Sequence, residues 1–371
     1  MAKKGISVIG ITYYKEIGIY SKYNSSYILP HPINHKQKFI DKLSIVLKKY
    51  KYKPVIFISN DEYLSFYIQN ESFIKQSFIS LLPSSNMIKS ISSKYDLYKI
   101  AINNNIPVPA TYLVKSLADI DKVVKIKLNY PLFVKGNDVN QWRSKISSHI
   151  KGFVIKDKIA LYDKLKDIIS KNVYPLIQEV IIGDDCNNFK GCVLYDEKSF
   201  CKLYFSLQKV HHYPIHYGVG SHVISRKNND LELITKKLFS SLKYIGVGSA
   251  EFKFDNRDQK FKLIEINPRY WQQNSLADVC GLNFPYYNYL EALDINDKVK
   301  LDFQENYRWI NLHLNFNSFL QYRREKSLTF FKWIISLRGK KIISFYDFSD
   351  FKPAVIHLYR IILRIIVKLL R

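Results

Sequence analysis

Cysteine is scarce in this chain. Only Cys186, Cys192, Cys201 and Cys280 occur in 371 residues, and no two form a CxxC pair. That excludes a thiolate zinc module and a disulfide framework, and it suits a reducing, cytoplasmic setting. Long apolar runs are also missing: no stretch reaches the roughly 18 consecutive apolar residues of a membrane span. The N-terminal MAKKGISVIGITYY puts two lysines before an apolar run. The run is too short for a secretory leader, and no small-residue cleavage site follows. There is no internal repeat and no low-complexity block. The GVGS at 218–221 lacks the GK[ST] of a P-loop. Acidic residues are few: 32 Asp and Glu face 57 Lys and Arg, for a net charge of +25. A nucleic acid, an anionic membrane or a polyanionic substrate would each suit that balance. An AT-rich coding bias toward Lys, Ile, Asn and Tyr accounts equally well for the scattered lysines.

What is present is apolar content of 47%, enough for a large core, on a chain long enough for two or three domains packed as one unit. Residues 1–90 read as a small α/β domain, with strands at 6–11 and 54–59 and helices at 35–50 and 61–80. Asn60 or Asp61 caps the second helix. A helix at 94–105 stops before Pro107 and Pro109. YPLFVKGND is a buried strand ending at Lys135. Residues 136–152 are polar and read as a mobile loop. A helix at 160–170 leads into a strand within YPLIQEVIIGDD. Strands near 189–208 and 217–226, then a helix at 230–242, precede GSAEFKFD and KFKLIEIN, which pair as a hairpin across NRDQK.

The hairpin carries chemistry. Alternation puts Glu251, Lys253 and Asp255 on one face of its first strand, and Glu265 and Asn267 on one face of its second. Buried and unpaired, such oxygens are costly. A hard cation resolves this, because Mg²⁺ prefers oxygen ligands. If the two faces coincide, Glu251, Glu265 and Asn267 converge.

These segments together resemble the ATP-grasp superfamily, and more closely its carboxylate–amine ligases linked to surface-polysaccharide assembly. SSKYDLYKIAINNNIPVPAT is similar to the family helix with an early lysine, which makes Lys94 a phosphate contact. YPLFVKGND looks like the strand whose lysine, here Lys135, reaches the α/β-phosphates. LIQEVIIGDD resembles the interdomain hinge: Gln178 or Glu179 with the backbone of Val180 and Ile181 would hold adenine, and Asp185 the ribose. GSAEFKFD…LIEINPRYW matches the metal hairpin and implies Glu251, Glu265 and Asn267 as Mg²⁺ ligands. The phosphate-covering stretch departs from the family in having few glycines; there the amides of Ser147 and Ser148 would cap phosphate. Arg269 would clamp the γ-phosphate or an acceptor carboxylate with its planar fork. Lys253 either serves catalysis or pairs with Glu265. QKVHHYPIHYGVGSHVISR resembles an acceptor-site segment, which implies Lys209 for catalysis and His211, His212 and Arg226 for substrate. With His216 and His222 nearby, an anion-binding surface suits that segment better than zinc, because no cysteine accompanies the histidines and HHxxxH is not the helical HExxH arrangement.

The resemblance implies an α/β ATP-grasp fold. An N-terminal α/β domain (1–90) precedes the ATP-grasp domain (91–300), which has a small ATP-binding subdomain at about 110–182 and a larger metal-site subdomain at about 183–300. A helical basic region (301–371) ends the chain. It implies an ATP- and Mg²⁺-dependent ligase that forms an amide through an acyl phosphate, with small-molecule carboxylate and amine substrates or a lipid-linked glycan. Phosphotransfer or thioester formation on the same scaffold is an alternative. So is a non-catalytic nucleic-acid- or membrane-binding protein, although the intact Lys94, Lys135, Glu251, Glu265 and Asn267 set argues against it and no nucleic-acid partner is expected.

PAVIHLYRIILRIIVKLLR closes the sequence. His357, Arg360, Arg364, Lys368 and Arg371 recur at three- and four-residue steps, within an arc of roughly 80° on a helix. The remaining surface is apolar. Such a helix either lies on an anionic membrane, peripheral at the inner face, or packs on the protein core. The basic-aromatic LTFFKWIISLRGKK at 328–341 favours the membrane.

Overall fold

The computed structural model describes residues 1–126, 128–148, 150, 152–296 and 302–369. Near the N-terminus, β1 (Ile9–Thr12) and β2 (Ser25–Ile28) pair in parallel. Helices α1 (Lys36–Leu47), α2 (Asp61–Gln69), α3 (Glu71–Ser77) and α4 (Ser85–Ser92) follow, around a core that includes Phe39, Phe66, Tyr67 and Ile88. Two expectations change here. The strand at 54–59 is reduced to a single parallel bridge between Val55 and Ile79, since Pro54 has no N–H and the partner run soon reaches Pro83. The helix at 61–80 is two helices. Asn70 leaves helical dihedrals, and its side chain donates to the Phe66 carbonyl at 2.8 Å, a local bond that competes with the helix. Asn60 caps α2 by accepting from the Tyr63 N–H.

After α5 (Lys94–Asn103) comes a four-stranded antiparallel sheet. Its elements are β3 (Thr111–Leu113), α6 (Leu117–Lys125), β4 (Leu132–Gly136), α7 (Val139–Lys145), β5 (Gly152–Ile155), α8 (Lys158–Ser170) and β6 (Pro175–Glu179), with strand order β3-β6-β4-β5. Leu132, Val134 and Ile177 pack with Leu161 and Leu165 of α8 on one face. Alternation turns Phe133, Lys135 and Gln178 to the other. The stretch expected as a loop at 136–152 contains α7. Asp138 caps it, and buried Trp142 anchors it, donating from its indole to the Ile150 carbonyl at 2.7 Å. One large apolar side chain outweighed the polar composition. Gly136 makes room, since a Cβ there would meet the Trp142 Cβ at 2.6 Å.

The largest sheet has seven strands: β7 (Asn188–Tyr195), β8 (Cys201–Tyr213), β9 (Val219–Ser225), β10 (Gly246–Asp255), β11 (Lys260–Asn267), β12 (Arg308–Ile310) and β13 (Lys341–Ile343). They run in the order β11-β10-β7-β8-β9-β12-β13, antiparallel except for β12 with β13. Helix α9 (Asn229–Ser241) lies across one face, so close that a Cβ on Gly191 would strike Thr235 at 2.3 Å. Helices α10 (Asn274–Val279) and α11 (Phe284–Ala292) help close the main core, which also gathers Leu97, Tyr98 and Ala101 of α5. Helix α12 (Leu312–Arg324) packs on β8 and β9, and α13 (Phe330–Ser336) packs on α12. Helix α14 (Phe351–Leu369) ends the described chain.

Candidate active site

The hairpin of β10 and β11 brings the two carboxylates together. Glu251 pairs directly with Glu265, and Ser249 with Asn267. A bulge between Glu251 and Phe252 shifts the register. Without it, Lys262 and Glu265, three residues apart, would point to opposite faces. With it, Lys262 joins the Glu251 face. Asp255 takes no part in the carboxylate pair. It is fully buried and held by Lys262 at 2.7 Å and Arg257 at 2.6 Å.

Glu251 is the electrostatic centre. Lys209 of β8 reaches one of its oxygens at 2.6 Å and Lys190 of β7 the other at 3.0 Å. Burial would raise the Glu251 carboxyl, but the two lysines outweigh it and hold it well below the usual range. Lys190 was not foreseen. Its signal was a charge within the otherwise apolar FKGCVLY, at the position opposite Glu251.

Glu265 gathers the phosphate-contact candidates. Lys94, the first residue of α5, lies 3.7 Å from its Oε2, and Asn267 donates to its Oε1 at 3.2 Å. An ion pair between Lys253 and Glu265 does not form; the acidic groups around Lys253 are Asp185, Asp184 and Asp255, and burial lowers its ammonium. Lys135 is buried and donates to Gln178 Oε1 at 2.7 Å, with the Tyr98 hydroxyl at 3.5 Å. Burial first, then the neighbouring Lys94, push its ammonium well below its ordinary value, against a smaller opposing pull from Glu265. Tyr98, one helical turn after Lys94, fixes this corner by donating to the Ile264 carbonyl at 2.8 Å.

The donor set fits Mg²⁺ in kind. Glu251, Glu265 and the Asn267 amide offer oxygen. Among the described residues no three His, Cys, Asp or Glu side chains gather into a metal cluster, so phosphate and water oxygens would complete the coordination.

The segment Glu179–Val180 is stitched to the hairpin turn. Arg257, from NRDQK, reaches Glu179 at 2.6 Å and the Val180 carbonyl at 3.3 Å while its fork grips Asp255. Ile181 is buried. The Gln178 side chain is committed to Lys135 and to Thr111 Oγ1 at 3.0 Å. Asp185 receives the His216 amide at 2.9 Å, its ring nitrogen at 3.3 Å, and the Tyr322 hydroxyl. Burial would raise its carboxyl; Tyr322 and the nearby His212 and His216 hold it below the usual range. Next to His216, the exposed Tyr217 stacks on Phe133, with ring centroids 5.3 Å apart and planes 18° apart. That pair spans from the large sheet's β8–β9 connection to the small sheet's lysine strand. His216 has φ of +69°, so the connection turns sharply there.

The other candidates divide. His212 is buried, and neither of its ring nitrogens has a partner. Burial, then Lys209, pushes its pKa down to about 4. His211 bonds Asn315 at 2.9 Å, on the α12 side. Arg269 is gripped by Asp61 at 2.5 and 3.3 Å, so a carboxylate already fills its fork. Arg226 stands apart; its N–H donates to the Ser206 carbonyl at 3.1 Å and its carbonyl accepts from the Ser206 hydroxyl at 2.6 Å. The Ser147 amide donates to the Trp142 carbonyl at 3.0 Å, at the end of α7. Ser148 lies exposed in the bend that follows.

No protein-family model matches the chain. A D-aspartate ligase of Enterococcus faecium is 21% identical over 260 residues, covering 67% of this chain and 59% of that protein. The chain thus spans about three fifths of that curated relative. Among solved structures, an L-amino acid ligase from Bacillus licheniformis superposes with a TM-score of 0.58 at 14% identity, over 80% of this chain and 70% of that one. The biotin carboxylase domain of Hydrogenobacter thermophilus 2-oxoglutarate carboxylase, solved with MgADP and bicarbonate, gives 0.60 at 13% identity, over 82% and 68%. With the small sheet, the large sheet and the cluster of lysines and carboxylates on the page, the likeness supports one conclusion: the chain has the ATP-grasp fold.

Proposed function

We propose that the protein is a Mg²⁺- and ATP-dependent carboxylate–amine ligase that releases ADP. One observation carries this reading: Lys94 and Lys135, from two different elements, gather at Glu265, while Glu251 and Asn267 stand beside it on paired strands. Cations from several elements around an oxygen donor set suit a triphosphate, for which positioning and charge neutralisation do most of the work. Lys94 and Lys135 hold phosphate oxygens. Glu251, Glu265 and Asn267 would hold Mg²⁺, which would supply charge neutralisation to the triphosphate. The hinge at Glu179–Ile181 takes the base. The substrate carboxylate oxygen attacks the γ-phosphorus and expels ADP. The amine then attacks the acyl carbon, phosphate leaves, and the amine loses a proton. Lys209 and Lys253 border the reacting groups, and Arg269 receives a substrate carboxylate in exchange for Asp61.

The D-aspartate ligase relative makes an acidic amino acid the first small substrate to try. The larger partner, a cell-surface glycan or its lipid-linked precursor, rests on the sequence resemblance alone, as does a cytoplasmic setting. ADP release by purified protein with Mg²⁺–ATP, screened against D-aspartate, other amino acids and uronic acids singly and in pairs, tests the reading. Turnover that needs one carboxylate and one amine, and is lost in Glu265→Ala, is expected. ADP release that needs neither, or needs an alcohol or thiol in place of the amine, refutes it.

A further inference from the structure

Helix α14 is seated the unusual way round. Its basic residues His357 and Arg360 turn toward the body: His357 packs on Phe345, ring centroids 4.4 Å apart, and Arg360 lies over the Tyr20 ring at 5.7 Å. Ala354, on the same arc, is buried. The opposite arc, Val355, Leu358, Tyr359, Ile362 and Ile366, is exposed. A terminal helix docked on a core would present those faces in the reverse sense. The side chain of Lys368, and Arg371, lie outside the described residues.

Helices α12 and α13, which precede α14 in the chain, also carry exposed apolar faces. On α12, Asn315, Ser318, Phe319 and Tyr322 face inward, while Leu312, Phe316 and Leu320 recur at four-residue steps on the outside. Helix α13 seats Trp333 on Phe319 at 4.7 Å and leaves Phe331 and Ile335 out. Phe348 is 93% exposed. Of the 37 large hydrophobic residues exposed among the described ones, 18 fall within 312–367. Scattered apolar residues need no explanation, but this concentration does. The segment is also basic: residues 328–371 hold nine Lys and Arg against Asp347 and Asp350. Of the two, Asp347 is paired with Lys3 and Asp350 is bonded to Ser21. A cavity of about 490 Å³ opens at the foot of α14, with Lys22 and Lys352 beside Phe348 and Phe351. No helix among the described residues is long and apolar enough to cross a bilayer.

We propose that the outer faces of α12, α13 and α14 form one surface that seats the protein on an anionic lipid bilayer. Apolar side chains enter the acyl boundary, and the exposed Lys332 and Lys352 meet the headgroups. The charge decides between a bilayer and a second copy of the chain: an isologous dimer would set this excess of cations against itself. The inner face of α12 carries Tyr322, which bonds Asp185. If the ligase reading holds, docking brings the Asp185 end of the site near the interface, where a lipid-linked acceptor would lie.

Sedimentation with vesicles tests the surface without any turnover. The full chain is mixed with phosphatidylcholine vesicles, or with vesicles that also carry anionic phosphatidylglycerol, at low and high salt. Binding to the anionic vesicles, weakened by salt and reduced at least tenfold in Phe331→Asp/Phe348→Asp and in Lys332→Glu/Lys352→Glu, is expected. Nucleotide binding by the same variants should be unchanged, which shows that they fold. Two results overturn the proposal. One is no binding to anionic vesicles, or binding the substitutions leave intact. The other is a salt-resistant dimer of the wild type, by light scattering, that Phe331→Asp/Phe348→Asp dissociates. Loss of vesicle binding with ligase turnover intact counts only against the surface; the reverse counts only against the ligase.

Discussion

Replacing Lys190 with methionine removes one of the two cations that hold Glu251. The Glu251 side chain is 18% exposed and each lysine 8%, so water compensates poorly. Breaking a buried ion pair by removing one member costs about 3–5 kcal/mol, because the partner is left unsatisfied. Lys209 remains, so the loss should sit near the lower end. Unfolding entropy for a chain of this length is roughly 0.8 kcal/mol/K, so about 3 kcal/mol lowers Tm by about 4 °C. The pH of the assay follows from the shifts. The Glu251 carboxyl is depressed on folding, so its contribution is complete above about 4.5 and is lost as pH falls further. The Lys190 ammonium is raised: burial lowers it, but Glu251 outweighs burial. Its contribution is therefore complete below about 10.5 and is lost above. Both are whole at pH 7. Magnesium held by Glu251 would supply the missing charge, so Mg²⁺–ADP should raise the Tm of Lys190→Met by more than it raises that of the wild type. Differential scanning fluorimetry with and without Mg²⁺–ADP reads both effects. A variant as stable as the wild type, or one with an equal or smaller nucleotide shift, would refute the account of Glu251 as a shared lysine and metal site.

Three further outcomes follow from the same geometry. Phosphate near Lys135 should restore the proton that burial and Lys94 disfavour, so nucleotide binding takes up protons below the ordinary lysine pKa; calorimetry in buffers of different ionisation enthalpy measures this, and Lys135→Met should abolish it. Tyr217 covers Phe133 beside Asp185, where the base and ribose are expected, so Tyr217→Ala should tighten nucleotide binding by about two- to tenfold, the worth of one aromatic stack; weaker binding would make Tyr217 a clamp on the base. His212 and His222 are buried with unpartnered rings, their pKa values pushed down to about 4 and about 3, first by burial and then by Lys209 and His211 respectively. The unfolded chain therefore binds more protons below pH 6.5, and stability should fall from pH 6.5 to 5 by about 2 kcal/mol for each histidine. Urea midpoints should show that loss reduced in His222→Phe.

The hairpin was legible because its chemistry lies in alternation. Glu251, Glu265 and Asn267 keep the parity that puts oxygens on one side of a strand, and no packing detail was needed to see it. Lys190 obeys the same parity, but strand register is what sets it against Glu251, and register is a long-range property. Arg257 was hidden for another reason. It sits in a polar five-residue turn that reads as solvent-exposed, while its function there, tying Glu179 and Val180 to Asp255, depends on residues 75 or more positions away. Helix α7 was missed because composition was averaged over a stretch in which one residue, Trp142, decides.

Helix α14 marks the limit most sharply. Periodicity gives a basic arc and an apolar arc, and it gives them well. It cannot say which arc faces the body, because both orientations have the same sequence and the choice lies with the partner surface. Here that surface offers Tyr20, whose ring face attracts the Arg360 guanidinium, and Phe345, on whose ring His357 packs. An apolar groove in their place would have taken the other arc, and the outward face would have been charged and silent. Tyr20→Ala together with Phe345→Ala should therefore loosen α14 while leaving its apolar arc intact. Hydrogen exchange along 351–369 should rise in the free protein and be suppressed again by anionic vesicles. Unchanged exchange in the free variant would mean that the basic arc is not what seats the helix.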